Sequence, residues 1–410
     1  MKIPNQLVGL QGWFQYCLKE RKDSKTSIRM GKSGLPLRFS PHVIFAVGFL
    51  SLLFTVSALT PLFAQAAHPV LNLHDFGAVG DGKADDTNAV QKWLAALTPG
   101  TRGYAPAGVY VIQSPLKSTT PRISIVGDGP YQTVFAYAGT DTNADIFTIQ
   151  DVVNWHISGL RITAFTKMSG GVSLHLKNFC RSMIDQVVID GQDGNNNLWN
   201  GIWFDAVDMV TYRNFDIVAQ NDAVMVNGGL GSQPKADLML QQGKIGGSQV
   251  GLLVGGAFGG LCVDQIDIIA NGRNVVIDNS LAHEGNRELF FGPTAMIDSA
   301  KTGASITLAD TLASSASWLE FSGTWIASGI TDGFSIAPDV NWTVQFTGGN
   351  IFNFDRDGIH NESKNIHLIC NGTIIRNNRG YGVQSLVPND AISLNATYFS
   401  NSAGDYAHPH

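Results

Sequence analysis

Tyr212-Arg-Asn-Phe-Asp-Ile217, Leu240-Gln-Gln-Gly-Lys-Ile245 and Val263-Asp-Gln-Ile-Asp-Ile268 repeat one pattern: an apolar start, a turn, and an alternation ending on isoleucine. The same unit stands upstream as Ile157-Ser-Gly-Leu-Arg-Ile162 and Ile184-Asp-Gln-Val-Val-Ile189. Weaker copies end at Ile297, Ile326, Ile351, Ile374 and Tyr398. From Ile162 the steps are 27, 28, 28, 23, 29, 29, 25, 23 and 24 residues. A period in the twenties marks a solenoid. Neither leucines at fixed offsets nor a 3.6-residue period is present, which excludes leucine-rich and helical repeats. Each period instead holds short strands, such as Ala223-Val-Met-Val226 after Ile217 and Val275-Val-Ile277 after Ile268. The expected fold is all-β: a right-handed parallel β-helix of about ten or more rungs, stacked ~4.8 Å apart. Asn271, Asn377 and Asn401 each lie three residues past an anchor, where stacked amides would bond from rung to rung.

Ahead of the repeats, Leu71-Asn-Leu-His-Asp-Phe-Gly-Ala-Val-Gly-Asp-Gly-Lys-Ala-Asp-Asp-Thr-Asn-Ala-Val-Gln-Lys-Trp-Leu94 reads as a strand, a glycine turn and a helix. Asp85 or Asp86 would cap that helix, and Val90, Trp93 and Leu94 form its apolar stripe. Such a helix covers the open first rung, whose unpaired backbone would otherwise invite association.

Residues 1–66 form a separate segment, with eight Lys/Arg, two acids, an apolar run from Val43 to Leu59, and Ala64-Gln65-Ala66. Basic flank, apolar stretch and A-x-A ending describe a signal peptide cut near Ala66/Ala67, with Met30 an alternative start. The competing reading is a membrane anchor, since residues 43–63 approach the ~20 needed to span a bilayer. The division expected is therefore 1–66 as signal with a basic extension and 67–410 as one β-helix domain, secreted or periplasmic.

Glycine supplies 45 of the 410 residues and only 15% are charged, which suits a β-rich protein and not a helical bundle. Net charge −6 less the leader's +6 (8 − 2) leaves −12 on residues 67–410, from 19 basic and 31 acidic residues. No basic footprint remains for nucleic acid. An acidic glycan would be repelled unless a divalent cation or a local basic patch intervened. Cys180, Cys262 and Cys370 fit buried thiols better than a disulfide framework, and no His/Cys metal-ligand spacing occurs.

The string Asp75-Phe-Gly-Ala-Val-Gly-Asp-Gly-Lys-Ala-Asp-Asp-Thr87, with Ala89 and Gln91, resembles the N-terminal signature of the pectate-lyase-like superfamily. That grouping includes rhamnogalacturonase-, polygalacturonase- and epimerase-like proteins, and the rung repeat extends the resemblance over 69–410. It implies a polysaccharide partner and chemistry in a groove on the outer face. The signature's acids, Asp81, Asp85 and Asp86, fit turn and cap roles.

If the anchors point inward, residues one before them point outward. That column places Asp216, Lys244 and Asp267 on consecutive rungs, and the column three before the anchor adds Asn214, Gln242 and Gln265 as a polar strip. Asp216 and Asp267 would stand roughly 9–10 Å apart from two strand spacings, near the ~6.5–9.5 Å of inverting glycosidases. Lys244 between them favours ionised carboxylates. It could instead serve as a lyase base, with Ca²⁺ as the possible cofactor for a uronate. A charge ladder that only steadies the stack is a further reading.

Compared with polygalacturonases, Ala219-Gln-Asn-Asp-Ala-Val-Met-Val-Asn-Gly228 resembles the rung of paired aspartates, with Asn221 first and Asp222 second. The next rung, 246–255, has no histidine, and 274–278 lacks an Arg-x-Lys pair, so polygalacturonase activity is not expected. The candidate catalytic set is Asp216, Asp222, Lys244 and Asp267. Asn214, Gln242, Gln265, Trp203 and Arg287 are the candidate substrate contacts, Arg287 in the polar stretch Ala282-His-Glu-Gly-Asn-Arg-Glu288. A softer cluster joins Asp355, Asp357 and His360 with Arg376 and Arg379. The function expected is an exported polysaccharide-active protein of lyase or glycoside hydrolase type. The alternative is a non-catalytic glycan-binding or exopolysaccharide-associated β-helix. Only 12 residues follow Tyr398, so the last rung is thinly covered and could meet a second copy of the chain.

Overall fold

The computed structural model describes residues 69–191, 196–228, 236–256, 258–279, 287–312, 316–388 and 391–409. The expected signal peptide, its expected cleavage point and the alternative anchor fall on residues outside these, as do His283 and Glu284. Among the described residues, thirty strands paired in parallel wind into a β-solenoid of about 11 turns. Ile189, Ile217, Ile245, Ile268, Ile297, Ile326 and Ile351 stand in unbroken register from rung to rung. None is more than 1% exposed. Burying each such side chain stabilises by ~1.5–3 kcal/mol, so every turn carries its own share of the core. Aromatic rings stack by the same register: Phe291, Phe321 and Phe346 lie 4.9 and 4.8 Å apart.

Three residues before these anchors, Ile297 excepted, the backbone turns left-handed. Gln186, Asn214, Gln242 and Gln265 have φ of 53, 56, 55 and 55°, and Gly159, Gly323, Gly348 and Gly372 take the same corner at 66–69°. Glycine tolerates this conformation, and a polar side chain facing solvent accompanies it elsewhere. The corner also corrects the repeat near its end. Gly372 points to Ile375 as the anchor, and Ile375 is the residue paired with Ile351 and fully buried, whereas Ile374 is half-buried. The same one-residue shift makes Asn378, not Asn377, the buried amide; its Nδ2 donates to Asn401 Oδ1 at 3.0 Å.

The chain bends again past the anchor, so each rung offers three strand faces, exemplified by 208–213, 215–217 and 222–227. Among the described residues one α-helix, Thr87–Ala96, lies near the start, with Trp93 buried and its indole N–H donating to Leu71 O at 2.9 Å. The Trp93 ring fills the space a side chain at position 103 would need, which requires Gly103. Asp85 accepts from the Thr87 amide at 3.0 Å, while Asp86 turns back to accept from Val79 and Gly80 at 2.6 and 3.1 Å. The signature's acids thus hold a turn and a helix start. Cys180, Cys262 and Cys370 form no disulfide, and burial pushes the Cys370 thiol up to about 12. At the far end, Ile392, Leu394, Ala396 and Tyr398 are only partly buried.

Candidate functional site

Five residues past each anchor the chain rounds a corner onto the third face, and there Asp222, Val250 and Arg273 fall in register. Buried amides build this corner. Asn271 accepts from the Ser248 amide at 3.0 Å and donates to Ile245 O and Asn274 Oδ1 at 3.2 and 3.1 Å. A side chain at Gly251 would meet the Asn271 amide at 2.7 Å, so the close packing requires glycine. The corner opens into a cleft of ≈ 640 Å³ lined by Asp222, Arg273, Asp278 and Lys301 among others. Val250 and Leu253 give it an apolar floor, joined by Val276 in a cluster separate from the core.

Asn200 and Asn221 hold Asp222 in place. Its backbone N–H donates to Asn200 Oδ1 at 3.2 Å, and Asn221 Nδ2 bridges Asn200 Oδ1 at 3.1 Å and Asp222 Oδ2 at 2.9 Å. Burial and the neighbouring Asp278 charge raise the Asp222 carboxyl to about 6, with Arg273 opposing them. A carboxyl that still holds its proton near pH 6, beside a second acid, is equipped for proton transfer at near-neutral pH.

The sequence-derived candidates divide between two faces. Asp216, Lys244 and Asp267 do stand in register, and Met296, Trp325 and Asn350 continue their column. The column lies on the strand face before the corner, however, and none of the three lines the cleft that holds Asp222. Burial raises both Asp216 and Asp267 despite the Lys244 charge, which lowers them. Lys244 therefore does not dominate either acid. Asn214, Gln242 and Gln265 form an exposed strip beside this ladder, as left-handed corner residues.

Trp203 is half-buried and stacks on His175 at 4.5 Å and 7°. His175 in turn holds Asp145 at 2.8 Å and lies 3.5 Å from Asp205. One face of Trp203 is thus occupied by an imidazole, and the residue does not line the cleft. Arg287 is corrected outright: it is 1% exposed and paired with the buried Asp310, so it offers no groove wall. Leaving a guanidinium buried without that partner would be strongly unfavourable, which is why the pair forms inside.

Arg273, Asp278 and Lys301 were missed. The polygalacturonase resemblance places its cations within 274–278, whereas Arg273 opens the strand Arg273–Asp278. Reading the column five past each anchor (217, 245, 268) would have found Asp222, Val250 and Arg273 together.

Among the described residues, Asp332, Asp357 and His360 have ligand atoms within 4.8 Å of one another. Those atoms already link rungs: Asp332 Oδ1 accepts from the Asp357 amide, Asp357 Oδ1 accepts from the Tyr381 amide, and Asp357 Oδ2 meets His360 Nδ1 at 2.9 Å. Arg356 approaches Asp332 at 3.5 Å. With an arginine already neutralising it and an imidazole in the set, this trio does not fit Ca²⁺, which takes oxygen ligands. Asp355 pairs with Arg379 at 3.1 Å, and Arg376 instead lies 4.3 Å over the Phe352 ring.

Residues 70–249 match the family model described as rhamnogalacturonase A/epimerase, pectate lyase-like. No curated protein matches the chain by sequence. Among solved structures it is similar to the Azotobacter vinelandii mannuronan C-5 epimerase AlgE4 A-module, at TM-score 0.58 and 15% identity, over 82% of this chain and 100% of that one. It is also similar to the Agl-KA catalytic domain, at TM-score 0.53 and 16% identity, over 84% of this chain and 69% of that one. The pectate-lyase-like match covers residues 70–249, and the chain shares its parallel β-helix fold with these structures.

Proposed function

We propose that the protein is a carbohydrate-active enzyme that cleaves a glycan in the corner cleft, with Asp222 as general acid and Asp278 as the second carboxyl of the pair. One observation carries this reading: a carboxyl raised to about 6 by burial and by a second acid in the same cleft. Glycosidases divide acid and base between two carboxyls whose surroundings push their pKa values apart. The apolar floor of Val250 and Leu253 suits the C–H face of a sugar ring, while Arg273 and Lys301 supply the local basic patch that an acidic glycan needs on a chain this negative.

A second reading rests on those two cations. Arg273 would neutralise a uronate carboxylate and Lys301 would remove the proton beside it, which is lyase or epimerase chemistry. The similarity to a mannuronan C-5 epimerase fits that reading. Incubation with neutral and uronate-containing polysaccharides, with and without Ca²⁺, separates the two. New reducing ends without near-ultraviolet absorbance mean hydrolysis, and an unsaturated product means a lyase. Solvent deuterium taken up without cleavage means epimerisation. Binding with no product on any substrate overturns the enzymatic reading in favour of a glycan-binding β-helix.

Residues 1–66 would direct the protein to the periplasm or outside the cell. N-terminal sequencing of exported protein should begin at Ala67; a product that keeps residues 43–63 in the membrane fraction would replace export with anchoring.

A further inference from the structure

A second hollow, of ≈ 500 Å³, shares no lining residue with the corner cleft. Arg102, Arg122, Ser124, Asn154 and His156 are among the residues that line it. Register stacks Arg102, Ser124 and His156 on successive rungs in one column. Arg122 joins them from a left-handed corner at φ 60°. Ser124 Oγ and His156 Nδ1 lie 3.5 Å apart, so a hydroxyl and an imidazole converge on the same space as two guanidinium groups.

Among the described residues, no carboxylate forms an ion pair with Arg102 or Arg122. The charged groups acting on His156 are Asp185, Arg102 and Arg213. Asp185 is already engaged, meeting Arg213 at 2.9 Å and Asn214 at 2.7 Å. Burial is the main cause that lowers the His156 pKa, and Arg102 and Arg213 add to it against the pull of Asp185. In a domain with 19 basic and 31 acidic residues, two arginines left without a counter-charge at one hollow are unusual. Guanidinium forks match carboxylate and phosphate oxygens, and an added anion would complete the set.

We propose that this hollow is an anion-binding site for a carboxylate or phosphate group, as carried by a sugar acid or a sugar phosphate. The inference does not depend on the corner cleft. By linkage, an anion held there must favour the protonated imidazole, so its binding raises the His156 pKa, and lower pH strengthens the binding.

The test follows the His156 ring resonances by NMR while the protein is titrated separately with glucuronate and with inorganic phosphate. A saturable shift with either anion is expected, with the His156 pKa rising in the bound state. The Arg102→Ala/Arg122→Ala double variant should weaken binding at least tenfold, and because both side chains are exposed its melting temperature should be unchanged. Response to glucuronate alone assigns a sugar acid, and response to phosphate alone a phosphate ester. No saturable shift with either anion, or equal binding by the double variant, overturns the site. Glycan turnover in the corner cleft can succeed or fail without altering this result.

Discussion

The corner cleft and the charge ladder are built from the same register, yet they offer different chemistry. In the ladder, Asp216, Lys244 and Asp267 stack along a strand face, and each side chain projects beside its neighbours on the rungs above and below. In the cleft, Asp222 and Arg273 stand two rungs apart in one column, but Lys301 arrives from the following turn and Asp278 from the far end of a strand. A strand face aligns residues without enclosing them. A corner gathers groups from several segments around a space a substrate can enter, and this concavity separates a candidate active site from a row of charges.

The largest expected effect is at Asp222. Asp222→Asn should lower turnover by about 10²–10⁴-fold, the usual contribution of a positioned acid, while the melting temperature at pH 8 holds or rises. The sign follows from the raised pKa. Between its ordinary value of 3.8 and about 6 the folded protein keeps a proton that the unfolded chain releases. The wild-type domain should therefore gain stability as pH falls from 6 toward 4, and the asparagine variant should lose that dependence. Thermal melts across this range measure it. A variant with wild-type turnover would remove the cleft as the catalytic site.

Next in size, Arg273→Ala should raise KM for an acidic glycan about tenfold and leave KM for a neutral one nearly unchanged, since one charge-assisted contact contributes roughly 1.5–3 kcal/mol. Equal effects on both would mean that Arg273 shapes the cleft rather than reading charge. Asp278→Asn removes a charge that raises Asp222. The limb of the rate–pH profile near pH 6 should then move to lower pH, and an unmoved limb would assign it to another group. Smallest of all, Asp216→Asn and Lys244→Ala should change turnover less than about threefold, because neither lines the cleft. If either matched the loss at Asp222, the two faces would have to act as one groove.

The fold was legible because a solenoid writes its register into the chain. An inward isoleucine every 23 to 29 residues is a local pattern, and seven of them align as the spacing predicts. The error at Ile374 came from a weak copy, Thr373-Ile-Ile375, in which either isoleucine satisfies the apolar pattern and only Gly372 fixes the bend. The ladder was legible for the same reason, being a fixed offset from the anchor. The cleft was half legible. Asp222 was identified through its rung, whereas Arg273, Asp278 and Lys301 sit at different offsets and converge only when the corner closes. Arg287 was misread because a charged residue in a polar stretch looks solvated until its buried partner Asp310, 23 residues on, is brought beside it.

The sequence by itself determined the parallel stack, which residues face in, and the N-terminal turn and helix, since each depends on spacing or on a local backbone preference. Tertiary structure alone decided which outward residues share an enclosed space, because that depends on how corners of successive rungs overhang one another. Burial then decided which acids keep a proton, a property of the surrounding dielectric and charge rather than of the residue type.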